Sequence, residues 1–317
     1  MIQIKNNSNR QLEDICLHHY QKIRRNVELA ILKNTAEPLS GFLIEELKNI
    51  LTGTPKELIA VQQKFLEFCG QNGLDPLAEE IHRSFSYPNF RARTIYNAYH
   101  LANELNVNVC PYCNRQYTFT VSAENIDITR PQFDHFFSNT DFPLLALSFY
   151  NLIPSCYICN ATLKGDTLFC LETHFHPYLG GFSKDFKFIF QGLSPAAFEG
   201  LNEDYEVEFL IDNTSVHRDR IGANADLFRL KEIYGHHKDQ IREVVRRYHI
   251  SGGRYLDRLA EMFELDRNDQ EELYLLAFGN YHHVDKHELR PLARFVNDIY
   301  DDVFLGINSG LRRDIDL

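Results

Sequence analysis

Long apolar runs are missing from this 317-residue chain. No stretch approaches the roughly 18 uninterrupted apolar residues of a membrane-spanning helix. The start, Met1 to Asp14, is polar and lacks the apolar core of a secretion signal. We therefore expect a cytoplasmic protein that does not contact a membrane. Positive charge is also scarce: 33 Lys and Arg stand against 44 Asp and Glu, a formal net charge of -11. That balance excludes a protein gripping nucleic acid through bulk electrostatics, because such binding releases counterions with many Lys and Arg. Any nucleic-acid contact must be local. The basic stretch from 216 to 254, with Arg218, Arg220, Arg229, Lys231, Arg242 and Arg247 among its cations, offers one such place or simply a solvated helix face. Internal repeats and low-complexity tracts are absent too, which removes solenoids and disordered linkers from consideration.

Hydrophobic residues make up 44% of the chain, ample for a buried core in one large domain or two moderate ones. Residues 10 to 105 read as helical, opening with a stripe of Leu12, Ile15, Cys16, Ile23, Val27 and Ile31 at helical spacing. Further helices are expected over 41–52, 55–70 and 92–105. The texture changes at Asn106. Val107 to Val121 and Ile126 to Phe133 suggest a β-hairpin across a polar turn, Ser122 to Asn125. Strands are expected at 186–190 and 205–211, and helices over 223–249, 254–263, 269–278 and 284–304. The expected fold class is α+β, mostly helical. Its expected organisation is a helical region 1–105, a core 106–182 and a mixed, then helical, region 183–317.

The cysteines are seven, an odd number, and four of them form Cys110-Pro-Tyr-Cys113 and Cys156-Tyr-Ile-Cys159. Two such knuckles suit a tetrahedral structural Zn2+, since each supplies two sulfurs to one side of the metal. Reduced thiols and a metal fit this pattern better than a disulfide framework. Cys16, Cys69 and Cys170 are expected to be ordinary buried residues. Between and after the knuckles lie Asp134-His135, Asn151, Asn160 and Lys164-Gly165-Asp166. His174 and His176 form a His-x-His pair, either core and surface histidines or substitutes if one thiolate proves not to bind zinc.

This order resembles the HNH family, the ββα-metal or His-Me finger endonucleases, in their zinc-stabilised form. The likeness covers about a fifth of the chain, and several positions agree in kind, order and spacing. In that family the final motif residue falls nine positions after the central Asn, as Asn160 follows Asn151; many members carry His where this chain has Asn160. The resemblance implies phosphodiester hydrolysis in nucleic acid, DNA in the first instance, with Mg2+ or Mn2+ as catalytic ion. His135 then serves as general base, because a neutral imidazole can take a proton from water at pH 7. Asp134 and the amide oxygen of Asn160 offer the hard oxygens such an ion takes. Asn151 orients His135 or braces its loop. Lys164 either contacts phosphate or extends its stem along apolar surface with its charge in water.

Blander roles exist for the same residues: Asn151 as a turn cap, Asn160 as a helix N-cap. Neighbours in a regular strand face opposite sides, so Asp134 and His135 share a site only if the strand ends or bulges there. A second likeness lies in Phe142–Tyr150 and Pro291–Asp298, whose texture is similar to HNH proteins that accompany an ATPase in bacterial anti-phage systems such as Septu. It implies an ATPase partner docked on the helical regions. The main rival is a zinc-stapled module that binds nucleic acid or protein without catalysis, followed by a structural protein assembled through its helices.

Overall fold

A computed structural model of the chain describes residues 1–5, 11–124, 126–266 and 269–306. Asn125 of the expected turn and residues 6–10 of the polar start lie outside the described residues. Packing divides the chain into two compact units: Gln3–Cys110 with Thr118–Gly181, and Met1–Ile2, Pro111–Tyr117 and Phe182–Leu317. In the first of them the N-terminal helices and the segment before Asn151 close over one core. Ser148 Oγ donates to the Ile50 carbonyl at 2.5 Å, and the His19 ring bonds the Leu147 carbonyl at 3.0 Å.

In the first of these units α1 (Leu12–Asn34) buries Ile15, Cys16, His19, Ile23, Val27 and Ile31, one residue per turn along a single face. It is followed by α2 (Leu39–Thr52) and α3 (Pro55–Asn72). Thr54 and Glu57 form a reciprocal capping box at the start of α3, and Gly73 closes it at φ 64°, a left-handed conformation glycine takes without strain. Two short helices follow, α4 (Glu79–Ser84) and α5 (Tyr87–Arg91). The helix expected over 92–105 begins only at Ala98 (α6, Ala98–Leu105), because the Asn97 side chain caps it by accepting from the Tyr99 and His100 amides.

The strands differ from the expected hairpin. β1 (Val121–Ala123) and β2 (Ile126–Thr129) pair as a small, fully exposed ladder. Pro131 has no amide hydrogen to continue it. The chain resumes as β3 (Gln132–His135), which pairs antiparallel with β4 (Leu152–Ser155) in unbroken register from Gln132↔Ser155 to His135↔Leu152. The apolar stretch Phe142–Tyr150 is largely buried and lies in the connection between β3 and β4. A seven-residue helix, Ile158–Lys164, then begins at the second knuckle and ends on a wide turn, Gly165 N to Asn160 O at 3.0 Å. The local order is strand, strand, helix.

In the other unit β5 (Phe186–Gly192) and β6 (Tyr205–Ile211) pair antiparallel. Phe186, Phe188 and Phe190 alternate inward, and Phe188 meets Phe295 of helix Ala293–Phe304 edge-on at 5.3 Å. Asp298 of that helix accepts from the Phe188 amide at 2.9 Å and from Arg294, so Pro291–Asp298 belongs to the interior of its own unit. The helix expected over 223–249 is three: Arg218–Leu227, Leu230–Tyr234 and Lys238–Ser251. Arg229 at φ 49° breaks the first join. Likewise Leu292, at φ 61° after Pro291, keeps 284–304 from forming one helix. No helix among the described residues is long and apolar enough to cross a membrane.

Candidate functional site

Cys110, Cys113, Cys156 and Cys159 are all buried, and their sulfurs lie within 4.8 Å of one another. Sulfurs about 2.3 Å from a tetrahedral zinc ion sit about 3.8 Å apart, so this cluster needs only a small contraction to hold one. Backbone amides already point at two of them: Cys159 N donates to Cys156 Sγ at 3.5 Å, and Arg115 N to Cys113 Sγ at 3.4 Å. Such bonds favour thiolate over thiol, which is the form a metal binds. The donor set is complete with four sulfurs. His174 and His176 are accordingly not needed. The His176 ring is wholly buried 4.3 Å from Phe136, and burial brings its pKa down to about 3, while His174 stacks on Phe169 at 4.0 Å. Cys16 and Cys69 are buried, with the Cys16 thiol pushed up to about 12 by burial. Cys170 departs from expectation by being partly exposed.

The strand-strand-helix unit distributes the other sequence candidates along β3. Its residues alternate regularly, so Gln132 and Asp134 share one face and Phe133 and His135 the other. The first face meets the helix in two rungs: Gln132 Oε1 accepts from the Asn160 amide at 2.8 Å, and Asp134 Oδ1 accepts from Lys164 Nζ at 2.7 Å. Asn160 and Lys164 are four apart and therefore on one side of the helix. Lys164 is thus neither snorkelling nor exposed to a ligand: it is 4% accessible and also donates to the His135 carbonyl at 2.7 Å. Asp134 is equally enclosed.

His135 closes β3 without a bulge and turns away from Asp134. Its Nε2 bonds the Ala146 carbonyl at 3.0 Å, and its ring meets Tyr87 edge-on at 5.0 Å. Burial lowers its pKa below the usual 6.5. A carbonyl only accepts, so Nε2 carries the proton and Nδ1 the lone pair of the neutral ring. Asn151, fully buried, braces the turn after His135: its Nδ2 donates to the Phe137 and Leu145 carbonyls at 3.0 and 2.9 Å, and its Oδ1 accepts from the Phe137 amide at 2.7 Å.

Sequence reasoning missed an open cleft of about 610 Å3 beside this unit, lined by Tyr87, Arg91, Tyr99, Arg130, Gln132 and Asn160 among others. Arg130-Pro131 directly before β3 was a readable signal. Arg91 had none, since tertiary packing alone brings α5 there. The run from 216 to 254 that did attract notice is largely engaged in ion pairs. Lys231 meets Glu208, Arg242 meets Glu203 at 2.9 Å and Arg247 meets Glu243 at 3.2 Å. Comparison with known protein families, curated proteins and solved structures yields no match. What fold and site define together is an α+β, mostly helical protein with a four-cysteine cluster able to hold zinc.

Proposed function

We propose that this chain is a metal-dependent HNH-type endonuclease that hydrolyses phosphodiester bonds of nucleic acid, DNA in the first instance. The observation that carries the reading is the strand-strand-helix order of β3, β4 and Ile158–Lys164, with Asp134-His135 closing the first strand and Asn160 on the helix docked against it. Its two knuckles belong to one sulfur cluster, which suits a staple for so small a unit. His135 has the state a general base needs: neutral at pH 7, with Nε2–H fixed on Ala146 and Nδ1 left to accept the proton of an attacking water. Asn151 holds the turn that follows and so keeps the imidazole in place.

Asp134 and the amide oxygen of Asn160 would be the residues to hold Mg2+ or Mn2+, because a carboxylate and an amide oxygen are hard ligands. The Lys164 ammonium on Asp134 Oδ1 is itself a cation at one of them. Bound there, the ion supplies charge stabilisation to the phosphate and the departing oxygen. The Asp134–Lys164 pair also favours a second reading, a zinc-stapled binding module in which that carboxylate is structural. Incubating the purified protein with plasmid and single-stranded DNA, in Mg2+ or Mn2+ against EDTA, separates the two. We expect metal-dependent cleavage that His135→Ala lowers on the order of 100-fold or more with zinc content unchanged. The wild-type rate should rise with pH through a midpoint below 6.5 and level off by neutrality, since only the unprotonated ring accepts. Wild-type rates in the His135→Ala protein end the assignment; no cleavage with any metal leaves the binding module.

A further inference from the structure

The cleft beside Asn160 stands out against the charge of the whole chain. Among the described residues its lining contains Arg91 and Arg130 and no carboxylate, in a protein of net charge -11. Arg130 is held by aromatic walls, its guanidinium 5.4 Å from the Tyr99 ring centre and 5.8 Å from that of Phe133. One of its amines donates to the Pro131 carbonyl at 2.6 Å, while its Nε is buried without a partner. The guanidinium also hydrogen-bonds the Tyr87 hydroxyl, so it is fixed in place, and with five donors it still has some to offer. Arg91 ends α5 on exposed surface across the same opening. Tyr87 links the cleft to the proposed base, its ring edge-on to His135 at 5.0 Å.

We propose that this cleft seats a single nucleic-acid strand, with Arg91 and Arg130 on backbone phosphates and Tyr99 and Tyr87 as the surface for an unpaired base. The inference rests on the nuclease reading for the kind of ligand and goes beyond it in naming the strand form and the residues. Arginines interleaved with aromatic rings are how unstacked bases and their backbone are held together. A duplex hides its base faces and is gripped through many phosphates along a broad basic surface, which a net charge of -11 disfavours. A volume of about 610 Å3 is in the range of a site for a small ligand, enough for a short stretch of one strand.

Fluorescence anisotropy in EDTA, with labelled single strands and a duplex of equal length, reads the proposal without chemistry. We expect the single strand to bind at least about tenfold more tightly than the duplex. Arg91→Ala and Arg130→Ala should each weaken it about tenfold and lower the salt slope by about one, whereas Tyr99→Ala should weaken it between about 5-fold and 100-fold with the slope unchanged. Arg254→Ala, in the ion-paired run of the other unit, serves as the control and should bind normally. Arg130 packs on Tyr99 and Phe133, so Arg91→Ala at an exposed helix end tests the phosphate contact without threat to the fold. Equal binding of duplex and single strand, no binding of either, or unchanged affinity in both Arg91→Ala and Tyr99→Ala overturns the proposal. A wild type that binds single strands but never cleaves removes the nuclease reading alone. Cleavage by Arg91→Ala and Tyr99→Ala at wild-type KM removes the cleft alone.

Discussion

The four cysteines and the surroundings of Asp134 lie in one stretch of chain between Cys110 and Lys164, and in both the candidate residues stand at motif spacing. At the cysteines the expected ligands converge, buried and within 4.8 Å of one another. At Asp134 the expected neighbours part: His135 turns to Ala146 and Tyr87, while Asp134 is taken up by Lys164. The difference lies in what sets each geometry. A Cys-x-x-Cys knuckle fixes two sulfurs by local backbone, and a four-ligand soft metal leaves little choice about the rest. The partner of a strand carboxylate depends instead on which helix docks on which face, and on a strand alternation that one residue inverts.

The sharpest way to break this contrast is to remove one sulfur. Metal binding at such a site is folding free energy, on the order of 10 kcal/mol or more for structural zinc. Cys110→Ser or Cys159→Ser should therefore lose bound zinc and become insoluble or protease-sensitive, measured by metal analysis of the purified protein and limited proteolysis. A soluble, protease-resistant Cys159→Ser protein without zinc would put the cluster on the same footing as any buried thiols.

Legibility in the sequence followed the same line. The α1 stripe, the knuckles and the β5 and β6 strands are local patterns, and the structure has each of them. The hairpin differs because strand propensity runs through 126–133, whereas Pro131 and the non-local partner β4 divide it. The expected helices over 223–249 and 284–304 are shorter in the structure because Arg229 and Leu292, neither a glycine, take left-handed backbone. Lys164 differs for a related reason: a lone lysine in sequence suggests a phosphate or solvent, and only the fold sets a buried carboxylate opposite it. Of the cleft, Arg130-Pro131 alone has a local signal; Arg91 reaches it only through the tertiary packing of α5.

A smaller effect sharpens the second half of the comparison. Breaking a buried ion pair from one side leaves an uncompensated charge and costs about 3–5 kcal/mol, whereas removing both charges costs much less. Lys164→Met should thus lower the urea-unfolding free energy by about that amount, and the Asp134→Asn/Lys164→Met double variant should recover most of it. Zinc content should not change in either. Added Mg2+ should stabilise Lys164→Met more than the double variant, since the uncompensated charge of Asp134 is what distinguishes them. Wild-type stability in Lys164→Met would mean the pair contributes nothing and the carboxylate is as unspecified as its sequence made it look.

The smallest expected effect concerns His176, the residue held in reserve as a zinc ligand. Burial among Phe136, Phe137 and Tyr178 brings its pKa down to about 3, and His19 and His287 are lowered to about 4 by the same cause. In the unfolded chain these rings take up protons below about 6.5, while in the folded protein they resist until far lower pH. The unfolded state therefore binds more protons across that window, and stability falls as pH drops from about 6.5 towards 4. Each ring accounts for about 2 kcal/mol of that loss at pH 5. His176→Phe keeps a flat ring in an aromatic cluster and has no proton to gain, so its stability difference between pH 7.5 and pH 5 should shrink by about that amount, read by urea unfolding at both values. Its zinc content should match the wild type. If zinc is lost, His176 is a ligand after all; if the acid sensitivity is unchanged, the ring is reached by protons in the folded state and its place in the core is not the closed one described.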